Sequence, residues 1–329
     1  MHIRRGYLGW GVFLILTGAV PLLVRSGYIS NDQVARLWTL WPLILIGIGV
    51  GLVLRRTSLD FLGGLIVAAT LGLMVGGVLS LGATTIAGGA CGSNEGTTAF
   101  PTKDGTFTGS DATVSVTLNC GTADIRAAAG SAWRVEGRDD DGTGPTIEAD
   151  ATSLSVKGRE REGNPFLFLG AKDTWAVTVP SGGPTLTIEL RLNAGTSTVD
   201  LGGAPVSHVD VTLNAGSTTL DLSEVAAIAR LDGTLNAGSL GVTFPNRSMK
   251  GTIQANAGAV KLCAPSGAGL RLQTGNSVIA SYDYGGQGLV QDGSTWTTPG
   301  FDTAEVQIDM VTRANAGSFS LNPAGGCGG

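Results

Sequence analysis

Leu192-Asn193-Ala194-Gly195, Leu213-Asn214-Ala215-Gly216 and Leu235-Asn236-Ala237-Gly238 decide how the second half of this chain folds. The Asn-Ala-Gly phrase returns at Asn256 and Asn315, and its first four copies are 21, 22 and 20 residues apart. Such an interval marks one coil of a stacked repeat. Apolar residues precede the first three copies, and others fall six residues after each Asn, at Val199, Leu220, Val242, Leu262 and Leu321. This spacing predicts strand, tight turn, strand.

Asn and Gly tolerate positive φ, where a branched side chain is strained. Gly195, Gly216, Gly238, Gly258 and Gly317 are therefore expected to make the corner, with Asn side chains bonding to the coils above and below. Carbohydrate or calcium binding by the Asn row is the competing use. Calcium turns of the β-roll type, however, need carboxylates, and these phrases contain none.

Weaker copies extend the pattern. Leu118-Asn119-Cys120-Gly121 carries Ile125 at the six-residue offset, and Thr274-Gly275-Asn276-Ser277 is expected to fill the slot between Asn256 and Asn315. Between Asn119 and Asn193 the register is lost, but alternating runs at 146–149, 153–156 and 175–180 predict strands with inserted loops. The expectation is an all-β domain over 105–322, a parallel β-solenoid of about 20–22-residue coils. A linker over 91–104 precedes it and a glycine-rich tail, 323–329, follows.

Residues 1–90 belong to a different solvent. Stretches 7–24, 38–54 and 61–86 are apolar and near or above the ~18–20 residues that cross a bilayer. Three membrane spans are expected, with Tyr7, Trp10, Tyr28, Trp38 and Trp41 at their ends as interfacial aromatics. Arg4, Arg5, Arg55 and Arg56 place the amino terminus in the cytoplasm and the β domain outside. In span three, Gly64, Ala68, Gly72, Gly76 and Ser80 form a ridge of small residues every fourth position. That ridge suits packing on this chain's own spans, or on a second membrane protein or copy, which makes another membrane protein and a homo-oligomer the candidate partners beside the bilayer. No ionisable residue lies inside a span, which argues against a transporter.

Residues 1–90 carry six Lys/Arg against two Asp/Glu, a net of +4; with −5 for the whole chain, residues 91–329 carry −9. An acidic exported domain gives no reason to expect nucleic acid. Cys91, Cys120, Cys263 and Cys327 all fall on the outer side, where disulfides form. Three connectivities are open; Cys91 with Cys120 and Cys263 with Cys327 is the favoured one. The spacings lack a Cys-x-x-Cys pair, so no metal site is assigned, and lipidation of Cys91 is disfavoured by Gly88 three residues before it.

Catalytic chemistry finds no carrier and no cofactor is expected. Ser207, His208 and Asp210 are neighbours in an extended segment and point to different faces, so they do not make a triad. Asp200 and Asp221 recur in consecutive coils as an outward pair, and Asp139-Asp140-Asp141-Gly142 is read as a solvated turn in preference to a cation loop.

Arg4-Arg5-Gly6-Tyr7-Leu8-Gly9-Trp10-Gly11, then Leu37-Trp38-Thr39-Leu40-Trp41-Pro42-Leu43-Ile44-Leu45-Ile46-Gly47 and Arg55-Arg56, resemble the transmembrane region of LiaI- and LiaF-type bacterial envelope-stress proteins. Trp175 to Pro180 with the Asn-Ala-Gly coils is similar to the toast-rack, adhesin-type β domains often attached to such regions. The resemblance implies a bacterial plasma-membrane protein with an exported β domain, in families where some members regulate a sensor kinase. It brings no catalytic residues. Envelope-stress regulation is the expected role, and an adhesion or assembly scaffold is the alternative.

Overall fold

The Asn-Ala-Gly corners join two ladders of parallel strands. The computed structural model describes residues 5–25, 42–54, 62–75, 96–159, 172–275, 280–323 and 327. It divides into two units, Met1–Ile86 and Ala87–Gly329.

The first unit is helical. It contains α1 (Arg5–Arg25), α2 (Pro42–Val53) and a third helix, α3, over residues 62–75. Pro42 opens α2 because the first helical position needs no backbone N–H. The expected spans reached further: residues 38–41 and 76–86 lie outside the described residues. Twelve residues of α2 rise only about 18 Å, against roughly 30 Å of bilayer hydrocarbon. Among the described residues no helix is long and apolar enough to cross a membrane.

The second unit is almost all β. Its first strands are β1 (Thr98–Ala99), β2 (Lys103–Thr106), β3 (Asp111–Leu118), β4 (Gly121–Ala128), β5 (Ala132–Asp139), β6 (Thr146–Ala149), β7 (Ser153–Lys157) and β8 (Asp173–Pro180). The repeats supply β9 (Thr185–Leu192), β10 (Gly195–Asp200), β11 (Val206–Leu213), β12 (Gly216–Asp221), β13 (Arg230–Leu235), β14 (Gly238–Thr243) and β15 (Met249–Cys263). The last are β16 (Gly269–Thr274), β17 (Ser281–Asp283), β18 (Val290–Asp292), β19 (Thr295–Thr297) and β20 (Gln307–Leu321). Residues expected as a linker thus include β1 and the start of β2.

One parallel ladder runs β7, β3, β9, β11, β13, the first half of β15, the first half of β20, β16. The other runs β8, β4, β10, β12, β14, the second halves of β15 and β20, then β17. Antiparallel strands cover both ends of the stack. β6 pairs with β7, β5 with β8, and β19 with β16. Such pairing occupies edges that would otherwise recruit another chain.

Chain order and stacking order differ at both ends. The β3–β4 coil lies between the later β7–β8 pair and the β9–β10 coil. At the other end β20 lies between β15 and β16. The coil approaching Asn276 therefore does not fill the slot between Asn256 and Asn315, as expected; β15 meets β20 directly, Gly258 against Gly317, and Asn276 itself lies outside the described residues.

Alternation explains the core. Val114, Val116 and Leu118 of β3 point inward with Ile188, Leu190 and Leu192 of β9, all nearly or fully buried, while Ser115 and Thr117 of β3 and Glu189 and Arg191 of β9 face outward. Burying each such side chain contributes about 1.5–3 kcal/mol. Ser197 and Thr218 are buried among them and bond to each other through their hydroxyls at 2.6 Å. Aromatic residues fill the ends. Trp175 and Trp133 pack at one; Tyr282 stacks on Phe319, and buried Tyr284 meets Trp296 edge-on, at the other. Among the described residues the indole N–H of Trp175 has no partner.

Candidate functional site

Among the described residues, six asparagines form a continuous row along the corner. Asn193 donates to Asn119 at 2.8 Å, Asn214 to Asn193 at 2.7 Å, Asn236 to Asn214 at 2.7 Å, Asn256 to Asn236 at 2.6 Å and Asn315 to Asn256 at 2.7 Å. The row ends on backbone, where Asn119 donates to the carbonyls of Gly158 and Arg159. Each inner side chain donates one of its two N–H groups to one neighbour and accepts at its carbonyl from the other, so the row ties successive coils together in register.

Glycine is required beside it. Gly121, Gly195, Gly216, Gly238 and Gly258 all have φ between 119° and 148°. A Cβ at Gly216 would also lie 2.0 Å from the carbonyl oxygen of Gly195 in the next coil. Gly317 departs from the expectation: its φ is not left-handed. Its Cβ would still approach the Gly258 oxygen to 2.7 Å, so close contact alone favours glycine there.

Outward residues of the first ladder line up in register. Glu189, Asp210 and Asp232 are consecutive neighbours across β9, β11 and β13. Burial pushes the Asp210 carboxyl up, opposed by His208 and reinforced by Asp232 and Glu189. Burial acts the same way on Asp232, but Arg230 and His208 outweigh it and hold that carboxyl below the usual range. His208 Nε2 lies 3.0 Å from Asp232, a pairing that sequence adjacency does not reveal. Ser207 bonds instead to Thr187 and the Leu186 carbonyl, so Ser207, His208 and Asp210 are not brought together.

Other candidates have structural employment. Asp200 and Asp221 are in register, and each accepts from the backbone two residues on, at Gly202 and Ser223. These are Asx turns that end the strands. The acidic run is not simply a solvated turn. Asp139 is buried, accepts from the Gly142 and Gly144 amides and pairs with Arg159 at 3.0 Å; Asp141 pairs with the same guanidinium at 2.7 Å. Cys263 and Cys327 are bonded, with Cα atoms 5.6 Å apart, whereas Cys91 lies outside the described residues.

Within the helical unit the small-residue ridge divides. A Cβ added at Gly72 would lie 2.8 Å from the Phe13 carbonyl of α1, and Ala68 faces Gly9. Gly64 has nothing within 4 Å, and Gly76 and Ser80 lie outside the described residues. The closest approach uses a residue the four-residue spacing missed: a Cβ at Gly63 would lie 2.4 to 2.5 Å from the backbone of Gly47 and Gly51 in α2. Gly47 and Gly51 are themselves four apart, which was the available signal.

Residues 8–53 match the family model of the LiaI-LiaF-like transmembrane region. No curated protein matches the chain. Among solved structures, it is similar to a "putative cell adhesion protein" from Clostridium sporogenes ATCC 15579, at 11% identity and a TM-score of 0.46, covering 67% of this chain and 98% of the other. A "putative adhesin" from Bacteroides fragilis NCTC 9343 is similar at 10% identity and a TM-score of 0.29, covering 70% and 100%. Another from Parabacteroides merdae ATCC 43184 has 11% identity and a TM-score of 0.21, covering 69% and 99%.

Proposed function

We propose that this chain is a non-enzymatic, membrane-anchored protein whose β unit is an extracytoplasmic β-solenoid, acting as an accessory in bacterial envelope-stress sensing. The observation that carries the reading is the LiaI-LiaF-like transmembrane region at residues 8–53. Exposed Leu14, Ile15, Leu45, Ile46 and Leu52 on α1 and α2 suit contact with lipid. The absence of enzymatic chemistry is supported by how the polar groups are used: His208, Asp232, Asp200 and Asp221 are each held in local ion pairs or Asx turns. Regular outward rows on consecutive coils favour a second reading, an adhesion or assembly scaffold.

Two experiments separate these elements. With cysteines placed singly at Ser58 and Gly293 in a chain whose four native cysteines are replaced by serine, a membrane-impermeant thiol reagent on intact cells, with outer layers removed where needed, labels only the Gly293 position; labelling at Ser58 alone reverses the orientation. For the role, Gly64→Leu blocks the open part of the ridge without touching the α1 contact. A regulator then loses its membrane partner and its response to wall-active agents. If that variant and a chain with its anchor exchanged for an unrelated one both keep full response, the regulatory reading fails and the scaffold remains.

A further inference from the structure

Among the described residues of the acidic β unit, a groove is lined by three cations and one carboxylate. Strands β13, β15, β20 and β16 lie side by side, and their registers pair Arg230 with Lys250, Lys250 with Asp309, and Asp309 with Arg271. Four charged side chains thus project in one row across adjacent strands, spanning about 14 Å from Arg230 to Arg271 at the usual interstrand spacing. Thr252 stands in the next outward row, and Thr295 of the β18–β19 hairpin borders the far side of an open groove of about 430 Å³.

The three cations differ in what holds them. Arg271 forms a two-point pair with Asp309, and its guanidinium lies 4.5 Å from the centre of the Phe301 ring. Arg230 forms a two-point pair with Asp232 through Nε and Nη2. A guanidinium has five N–H donors, so each keeps donors beyond those its carboxylate uses, and each is held in a fixed orientation. Lys250 is exposed and, among the described residues, has no ion pair. Its ammonium supplies the uncompensated charge between two oriented donor groups.

We propose that this groove binds an oxyanion, a phosphate or carboxylate group, seated on Lys250 between Arg230 and Arg271. Oriented guanidinium donors favour planar carboxylate and phosphate oxygens, and the ammonium favours a compact anion. The lining comes from five neighbouring strands, β13, β15, β20, β16 and β19, which suits a group carried on an acidic polymer. Coulombic repulsion from the net charge of the β unit disfavours anions elsewhere, so the groove is also where binding is selective. The proposal does not depend on the envelope-stress reading.

The test uses the full chain in a non-ionic detergent, titrated calorimetrically with inorganic phosphate and, separately, with glucuronate. Saturable binding of at least one probe is expected, and the stronger arm identifies a phosphorylated or a uronic-acid source. K250Q should weaken that binding about tenfold, the effect of losing one charged contact. K250R should retain it, and K261Q, which removes an outward lysine from the other ladder, should leave it unchanged. Matching thermal midpoints show that the variants are folded. Failure of both probes to bind the wild type, an unaltered K250Q, or equal weakening by K250Q and K261Q overturns the assignment, the last by reducing it to diffuse surface charge.

Discussion

Asn193 donates its side-chain amide to the Oδ1 of Asn119 across 74 residues of sequence. The same bond joins Asn214 to Asn193 across only 21. Equal geometry at such unequal separations shows that the corner is defined by stacking position, not by distance along the chain.

Removing an inner member of that row should cost more than removing an exposed hydroxyl pair between the same kind of neighbouring strands. Asn214→Ala leaves the Asn236 donor and the Asn193 acceptor without partners in a half-buried corner, a loss of about 1–3 kcal/mol. Thr122 is exposed and shares only a hydroxyl bond with Thr196 on the neighbouring strand, so Thr122→Ala should cost less than about 1 kcal/mol. Denaturant midpoints compare the two directly; equal losses would remove the row from the list of stabilising features.

Gly216→Ala tests the glycine row. It combines a φ of 131° with a Cβ only 2.0 Å from the Gly195 oxygen, so a loss of about 2–4 kcal/mol is expected. Gly130→Ala supplies the control, since φ there is 110° but nothing lies within 4 Å of the added carbon. Its loss should stay near 1–2 kcal/mol, roughly the backbone strain alone. Equal thermal shifts would mean that close coil contact is not what selects glycine.

Two carboxylates should respond to pH with opposite signs. The hydrogen bonds from Arg159 and Thr143 hold the Asp141 carboxyl well below its ordinary value. Its contribution is present above the unfolded value near 3.9 and lost as pH falls toward the depressed one. Asp210 is raised by burial, so its contribution is full below about pH 3.9 and lost as pH rises through its folded value. Asp141→Asn should therefore lower the melting temperature at pH 7 and Asp210→Asn should raise it. Both differences shrink toward pH 3 and below. Curves that run parallel to wild type from pH 7 to pH 3 would contradict both assignments.

The Cys263–Cys327 bond closes a segment of 64 residues that contains β16 to β20. Constraint of a loop this long is worth about 4 kcal/mol through the unfolded state. Cys327→Ser should reduce stability by an amount approaching that value, read from urea unfolding of the full chain. A change below about 1 kcal/mol would show that the pairing of β15 with β20 needs no covalent help.

The repeat was legible because it obeys a local rule: Leu before Asn, Gly two residues on, an apolar residue at the sixth position. Stacking order was not legible wherever the chain leaves that rule. Asn276 sits next in sequence after Asn256, and proximity in sequence suggested proximity in space, but β20 takes that place. The antiparallel covers were also hidden. Segments such as Val290–Asp292 and Thr295–Thr297 are three residues each, too short for an alternation signal to exceed chance. The cationic groove gathers Arg230, Lys250, Arg271 and Asp309 from four strands, so no window of sequence contains it. The helical ridge was half legible: periodicity found Gly72, while Gly63 is important through its neighbours in α2 and carries no periodic mark.

The placement of β20 between β15 and β16 also imposes a timetable on assembly. A chain synthesised from its amino terminus delivers Gln307–Leu321 after every other strand. Until then β16 lacks its parallel neighbour and the second half of β15 has a bare edge. The earlier inversion resolves sooner, because β3 and β4 receive partners on both sides once residue 200 has emerged. The carboxyl-terminal third is thus the last to close and the longest open to foreign strands, so a chain stalled before Gln307 presents an unfinished edge to its surroundings.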